Sequence, residues 1–482
     1  MIRRTGGEEM IQNISRGSDR RTALFFAGLA GIGILTAAGR AYLLGDDYFM
    51  LAHWRWVLEN GFPHADPLSM HEGFRFSVEK WLSCAALYHL YESAGIWGLR
   101  LSLGLVVAAI FALQYRLCAL TSGNRQISMA AAAVITLLGL RFFLLRPQTV
   151  TILILTAELY CLEQYMKMGR VRGLLRLPLL AWLEMGVHST LWPGFFLVLL
   201  PYLADFSAEN GKLFFHIRRK LPLAGAGLLS FGALFLNPYG AWSVFYIFRS
   251  YGDADMTRLI SELNPTTFHD YDWLLGTLLV TLALCIGNRK MPPRYYMILA
   301  GFFLFALTAQ RNIMFFTQFG GFTAAVLLRD RRLRLRWNLL PALPVILAGA
   351  LLSGCSASEK DVRQLRENEQ IIDVLAEEAE SGAVIYADFN TGSYAEYRGF
   401  RPYIDGRAEV FLKSVNGRAD IFHEYAQLSS GELYYRDFLD RYDFDYLVVN
   451  ENLEPALYHA LEHDGDFRLL IRREPCAVFV LY

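Results

Sequence analysis

The chain has 482 residues, 54% of them hydrophobic, and its 46 basic and 46 acidic residues cancel to zero formal charge. The apolar share exceeds that of ordinary soluble domains and is gathered into runs, which points to a membrane protein. A neutral balance gives no footprint for a polyanion, so no nucleic acid partner is expected. Six cysteines (Cys84, Cys118, Cys161, Cys285, Cys355, Cys476) form no CxxC or Cys/His pattern, which argues against a zinc site or a disulfide framework.

A cytoplasmic basic N-terminus, residues 1–22, carries Arg3, Arg4, Arg16, Arg20 and Arg21 ahead of the apolar run 23–44. That run is too long for a signal-peptide core and reads as an uncleaved first span. A helix needs about 20 apolar residues to cross the hydrocarbon core. Further candidates are 96–118, 127–145, 148–166, 174–188, 190–204, 221–238, 273–288, 294–309, 312–328 and 337–354. This makes about eleven spans, although 174–188 and 190–204 are short. They meet at His188-Ser189-Thr190, either as a tight hairpin or as one broken element.

Sidedness follows from lysine and arginine, which favour the cytoplasmic loops. With the N-terminus inside, the inside connections contain Arg116 and Arg125, then Lys167 to Arg176, then Lys212 to Lys220. Arg289, Lys290 and Arg294 follow, and Arg329 to Arg336 complete the set. The alternate loops are richer in acid, histidine and aromatic residues. The expected architecture is an α-helical polytopic bundle over 23–354 with an extracytoplasmic tail, 355–482, in the plasma (inner) membrane.

Two outside loops are long. In the first, 45–95, Tyr48, Phe49, Leu51, Trp54, Trp56 and Leu58 predict an aromatic helix lying along the membrane surface. Gly61-Phe62-Pro63 ends it, and a second amphipathic helix over about 78–93 leads into the next span. The second long loop, 239–272, follows Asn237-Pro238-Tyr239-Gly240 and contains Glu262. Short outside turns add Arg141, Arg146-Pro147-Gln148, His188 and Arg311-Asn312, so polar groups converge on one face. The tail differs in composition. A polar helix around 359–381 and strand-like runs at 383–387, 446–449, 467–471 and 477–481 predict a small α/β domain. Its loops are expected to include Asn390-Thr391-Gly392-Ser393-Tyr394 and Asp405-Gly406-Arg407.

The first outside loop resembles that of GT-C class integral membrane glycosyltransferases. It is most similar to the bacterial RgtA/B/C/D-like or dolichyl-phosphate-mannose-protein mannosyltransferase-like group. The resemblance is carried by Asp46-Asp47, Gly61-Phe62-Pro63, Asp66-Pro67-Leu68-Ser69, Glu79-Lys80-Trp81-Leu82 and the entry 95–99 to the second span. Arg146-Pro147-Gln148, His188-Ser189, Asn237-Pro238-Tyr239-Gly240, Glu262 and Arg311-Asn312 extend it to about residue 330. One departure is Lys80, inserted into an otherwise familiar Glu-Trp-Leu.

The resemblance implies a sugar donor on a polyprenyl phosphate, with membrane lipid around it and a glycan, lipid or protein as acceptor. It also implies a carboxylate in the first loop as general base, Asp46 or Asp47. Neighbouring helix residues diverge by about 100°, so only one of the pair reaches the acceptor, and the spacing to Gly61 favours Asp46. Against this, an acidic pair also serves simply to end a span in water. The leaving lipid phosphate needs cations, for which Lys80, Arg141, Arg146 and Arg311 are candidates, the alternative being interfacial snorkelling. Glu79 orients a sugar hydroxyl or pairs with Lys80. His188 and Glu262 are candidate substrate contacts, and Asp405 and Arg407 either close over the sugar or pair to fix a turn. Glu158 and Glu184 lie inside spans, where a structural role is favoured. No metal ligand set and no cofactor motif stands out. The rival classes are a non-catalytic scaffold of envelope polymer assembly and a lipid or glycan transporter, the latter calling for internal repeats that the sequence lacks.

Overall fold

The computed structural model of the chain describes residues 6–209, 212–214, 217–250, 252–267, 291–328 and 366–482. The expected spans 273–288 and 337–354, with Cys285 and Cys355, lie outside the described residues. The molecule is mostly helical, with a small sheet domain at the C-terminal end.

The bundle begins with α1 (Gly6–Gly39), α2 (Gly45–Asn60), α3 (Trp81–Ser122), α4 (Arg125–Gly139) and α5 (Pro147–Met168). It continues with α6 (Leu177–Val187), α7 (Trp192–Ala204), the hairpin β1 (Ser207–Glu209) and β2 (Lys212–Phe214), and α8 (Ile217–Ala233). Three short helices follow, α9 (Ala241–Val244), α10 (Ile247–Ser250) and α11 (Ala254–Leu259), then α12 (Pro293–Thr308) and α13 (313–327). Thr22–Gly39 and Trp81–Ser122 are long and apolar enough to cross a membrane. Arg125–Gly139, Ser189–Ala204 and Pro293–Thr308 are shorter apolar helices. Between α6 and α7 the chain breaks at His188 (φ −155°, ψ 79°) and passes through a single 3-10 turn, Ser189–Leu191.

The expected amphipathic helix and second span are one helix, α3, kinked at Gly95, whose φ of 56° is open to glycine but strained for other residues. Asn237 closes the turn after α8 by donating to the carbonyls of Leu234 (2.7 Å) and Gly240 (3.0 Å). That motif is thus a helix stop.

The connections sort to two ends. At one, Lys167 donates to the Leu120 carbonyl (2.6 Å) and Tyr165 to that of Arg219 (2.8 Å). There Arg294 also meets Glu163 (3.2 Å) and Asp205 (2.9 Å). At the other end lie the first loop, the α6–α7 break, α10–α11 and the α12–α13 junction. This is the same partition that the charges along the sequence draw.

The tail holds a five-stranded sheet in the order β4-β3-β5-β7-β6. Its strands are β3 (Val384–Tyr386), β4 (Arg401–Pro402), β5 (Tyr446–Asn450), β6 (Phe467–Arg473) and β7 (Cys476–Leu481). The β3–β4 and β3–β5 pairs are parallel, and β7 runs antiparallel to β5 and β6. Residues 366–378 form the polar helix α14. The expected loop at 390–394 is instead helix α15 (Phe389–Tyr397), started by Asp388, whose carboxylate accepts from the amides of Asn390 and Thr391.

The tail does not stand apart from the bundle. Tyr48, Phe49, Leu51, Phe74 and Phe76 of the first loop share one core with Tyr386, Tyr403, Ile404, Val410 and Phe411. Tyr48 packs edge-on to Tyr394 at 4.6 Å. The aromatic face of α2 therefore covers the tail rather than lying free for a membrane surface. Hydrogen bonds reinforce the contact, with Met70 N donating to the Pro402 carbonyl (3.1 Å) and Arg418 Nε to that of Gly73 (3.0 Å).

Candidate active site

A cavity of about 770 Å³ opens where the first loop, the bundle end and the tail meet. Its walls include Asp46, Glu79, Lys80, Arg146, His188, Glu262 and Arg311 of the sequence candidates. Asp47 and Arg141 are not among the lining residues.

The acidic pair divides as helix geometry requires. Asp47 is buried and caps α2, its Oδ2 accepting from the Leu44 amide at 2.9 Å. Burial pushes its carboxyl up to about 7, against the pull of the Leu44 amide and of Arg146. Asp46 faces the cavity. A Cβ built on Gly406 of the tail would lie 2.9 Å from Asp46 Oδ1, so this carboxylate rests against the tail backbone. The turn at 405–407 is fixed in turn by α15. Ser393 Oγ accepts from the Gly406 amide (2.9 Å), and a Cβ at Gly392 would sit 1.9 Å from the Ile404 carbonyl oxygen. Gly392-Ser393 and Asp405-Gly406-Arg407 are therefore one packed unit, and only glycine permits that approach.

Three cations reach the cavity from the bundle side. Arg146 pairs with Glu262 at 3.1 Å. Burial opposes its charge, but Asp46, Glu262 and Asp47 together raise its pKa above the ordinary arginine value. Lys80 stands 5.4 Å from the centre of the Phe49 ring, and neither Lys80 nor Arg311 forms an ion pair among the described residues. Both lie within electrostatic range of His188. His188 is not the exposed tip histidine expected from a hairpin. It is 5% exposed, and its Nδ1 has no partner among the described residues. Arg141 is exposed at the turn after α4, because that helix ends at Gly139 and directs it away.

Arg407 does pair with Asp405, as one reading of the turn holds, and does more. Buried against the first loop, it contacts Asp66 (2.5 Å), Glu396 (2.5 Å) and Asp405, and its Nη1 donates to His53 Nε2 at 2.9 Å. Accepting that bond makes His53 a neutral imidazole. Burial, then Arg407, depress its pKa well below the usual histidine value. Burial would raise the Asp66 carboxyl, but Arg407 prevails and holds it below the ordinary value. His53 stacks on Phe76 at 4.9 Å. This node joins the first loop to the tail immediately beside Asp46.

His53, Asn390, Tyr246 and Glu409, which are not among the sequence candidates, also line the cavity. Nothing in local pattern marks them, because tertiary packing alone brings them together. Chemically, the cavity sets the Asp46 carboxylate near Lys80, Arg146 and Arg311, in a partly enclosed space where charge interactions are strong.

No family model and no curated protein matches the sequence. Solved structures match in fold. The archaeal oligosaccharyltransferase AglB from Archaeoglobus fulgidus, in complex with an inhibitory peptide and a dolichol-phosphate, aligns with TM-score 0.59 at 10% identity. The alignment covers 90% of this chain and 70% of AglB. ArnT from Cupriavidus metallidurans, bound to undecaprenyl phosphate, gives TM-score 0.53 at 13% identity over 95% of this chain and 97% of its own. The arabinofuranosyltransferase AftD from Mycobacteria gives 0.54 at 14% identity, over 94% of this chain and 41% of its own. At such identities the likeness establishes the fold, which is that of the GT-C glycosyltransferases.

Proposed function

We propose that the chain is a membrane glycosyltransferase that moves a sugar from a polyprenyl-phosphate carrier to an extracytoplasmic acceptor, with Asp46 as general base. The observation carrying this reading is the meeting of Asp46 with Lys80, Arg146 and Arg311 in one cavity. Dolichol-phosphate in AglB and undecaprenyl phosphate in ArnT, proteins of the same fold, support the donor class. In this account the chain crosses the plasma membrane about eleven times with its N-terminus inside. The basic residues 1–22 precede a transmembrane domain, 23–354, and residues 355–482 lie on the outer side with the first loop. The segregation of alternate connections to two ends of the bundle favours that topology.

In the reaction, an acceptor hydroxyl gives its proton to Asp46 as its oxygen bonds to the sugar's anomeric carbon. The bond from that carbon to the phosphate oxygen breaks, and the lipid phosphate leaves with the electron pair. Lys80 and Arg311 receive the growing negative charge, and the cationic transition state of the sugar is stabilised by the nearby carboxylate. Arg146, held by Glu262, fixes the field around Asp46 while His188 lines the phosphate side. Asp47 acts on the fold of α2 rather than on substrate.

The test is sugar transfer from radiolabelled polyprenyl-phosphate sugars by the full chain in proteoliposomes, comparing wild type with Lys80→Met and Arg311→Met. Transfer by the wild type with donor KM raised about tenfold in each variant is expected, one lost charge-assisted contact being worth about 1.5 kcal/mol or more. Transfer indifferent to both substitutions would remove these cations from the mechanism, and no transfer from any donor would oppose the reading itself.

A further inference from the structure

We infer that the tail and the first loop together build an acceptor subsite from Glu79, Tyr246 and Glu409, which takes the hydroxyl groups of a sugar ring. This deepens the transferase reading, on which it rests, by assigning the acceptor to the glycan class. The three side chains come from separate elements. Glu79 closes the first loop, Tyr246 sits between α9 and α10, and Glu409 stands on the tail's 3-10 turn Ala408–Phe411. All three line the cavity that Asp46 enters.

The decisive feature is Glu79. Its Oε1 is buried and has no hydrogen-bond partner among the described residues, a condition that folded proteins rarely leave unexplained. Tyr246 is 2% exposed, and its hydroxyl lies beside the Glu79 carboxyl. Glu409 lies within electrostatic range of both. Burial, and then Glu409, hold Glu79 well above the ordinary carboxyl range, while Lys80 acts in the opposite direction. Glu79 is therefore a neutral acid that donates as well as accepts.

A neutral Glu79 carboxyl and the Tyr246 hydroxyl both donate and accept, which suits hydroxyls. Phe49, Phe76 and Phe389 on the same cavity wall supply apolar faces for the C–H side of a sugar ring. The subsite is also rigid. Val410 N donates to the Arg407 carbonyl (2.9 Å) and Leu412 N to that of Glu409 (3.2 Å), so the turn holding Glu409 is anchored on the buried Arg407 node. Gly406, three residues earlier, touches Asp46, which puts an acceptor held here next to the base.

The experiment uses the full chain in nanodiscs, with wild type, E409Q and Y246F. Binding of methyl glycosides of glucose, galactose and mannose is read by saturation-transfer NMR, and in parallel acceptor and donor KM are read with the same glycosides. At least one glycoside is expected to bind. E409Q and Y246F should each weaken it about tenfold and raise acceptor KM to match, with donor KM moving less than twofold. Thermal midpoints close to wild type exclude misfolding as the cause. Binding unchanged in both variants overturns the inference, as does a wild type that glycosylates a serine/threonine peptide or phosphatidylethanolamine and ignores every glycoside. Were no donor to support transfer, the transferase reading would fall, and the binding arm alone would still decide the subsite.

Discussion

The two ends of the bundle carry similar residues and use them differently. At the end away from the cavity, Glu163 accepts from Tyr202 (2.7 Å), Tyr295 (2.9 Å) and Arg294 (3.2 Å), and Arg294 also holds Asp205 (2.9 Å). Each charge of this network is answered within the protein. At the cavity end, Asp46, Lys80 and Arg311 line open space and form no ion pair among the described residues, and Glu79 also keeps a buried oxygen unpaired there. Closed networks hold elements together, whereas open charges await a ligand. The Arg407 node is of the closed kind but sits against the cavity, so it fixes the shape of the site while its neighbours remain free.

Breaking a closed network should cost stability most. Arg407→Ala strands Asp66, Glu396 and Asp405 in a buried space, and a loss of about 3–5 kcal/mol is expected. It is read as a fall in thermal midpoint together with new protease sites in the tail. Arg294→Ala sharpens the comparison from the other end. A loss of about 3 kcal/mol or somewhat more is expected there, since both of its carboxylate partners lose their cation. The protein that survives should keep donor and acceptor KM within twofold of wild type, and a changed KM would contradict a purely structural role.

Open charges should behave in the reverse way. Lys80→Met is expected to shift stability by about 0.5 kcal/mol or less while impairing transfer, because no internal partner is lost. A strongly destabilised variant would show that Lys80 belongs to a closed network after all. A pH-dependent effect concerns Asp47. Its folded-state pKa of about 7 lies above the ordinary 3.8, so the folded chain binds the proton more tightly than the unfolded one. Stability from this group is therefore complete below about 3.8, declines as pH rises towards 7 and stays low above it. Asp47→Asn keeps an acceptor for the Leu44 amide and removes that decline. Its thermal midpoint, relative to wild type, should be roughly 2–4 °C higher at pH 8 than at pH 4. An equal difference at both values would contradict the assigned burial.

Much of the fold was legible because it depends on local pattern. Apolar runs located α4 to α8, α12 and α13 to within about six residues, whereas α1 begins at Gly6, well ahead of the run at 23, and the alternation of basic connections anticipated which loops would meet. The four principal tail strands appeared as β-rich runs, while β4, only Arg401–Pro402, is too short to leave a signal. The site was legible in part. Asp46, Lys80, Arg146, His188 and Arg311, named from the resemblance and from their places in outside loops, all line one cavity. What escaped depended on contacts distant in sequence. The Asp388 cap that turns 389–397 into a helix was passed over in favour of the glycine and serine that follow it. The burial of α2 under the tail was hidden because an aromatic helix face looks alike whether it meets lipid or protein. His53 and Arg407 are 354 positions apart, and no periodicity links them.

The most direct test of the central claim separates the two adjacent aspartates. Sugar transfer from a polyprenyl-phosphate donor would be measured for wild type, Asp46→Asn and Asp47→Asn at matched expression. The cavity geometry implies a fall of about 10²-fold or more in kcat for Asp46→Asn, the scale of a lost general base. Asp47→Asn should stay within severalfold of wild type. Loss of transfer in Asp47→Asn with activity retained in Asp46→Asn would contradict the account, since it would place the base on the carboxylate that caps α2.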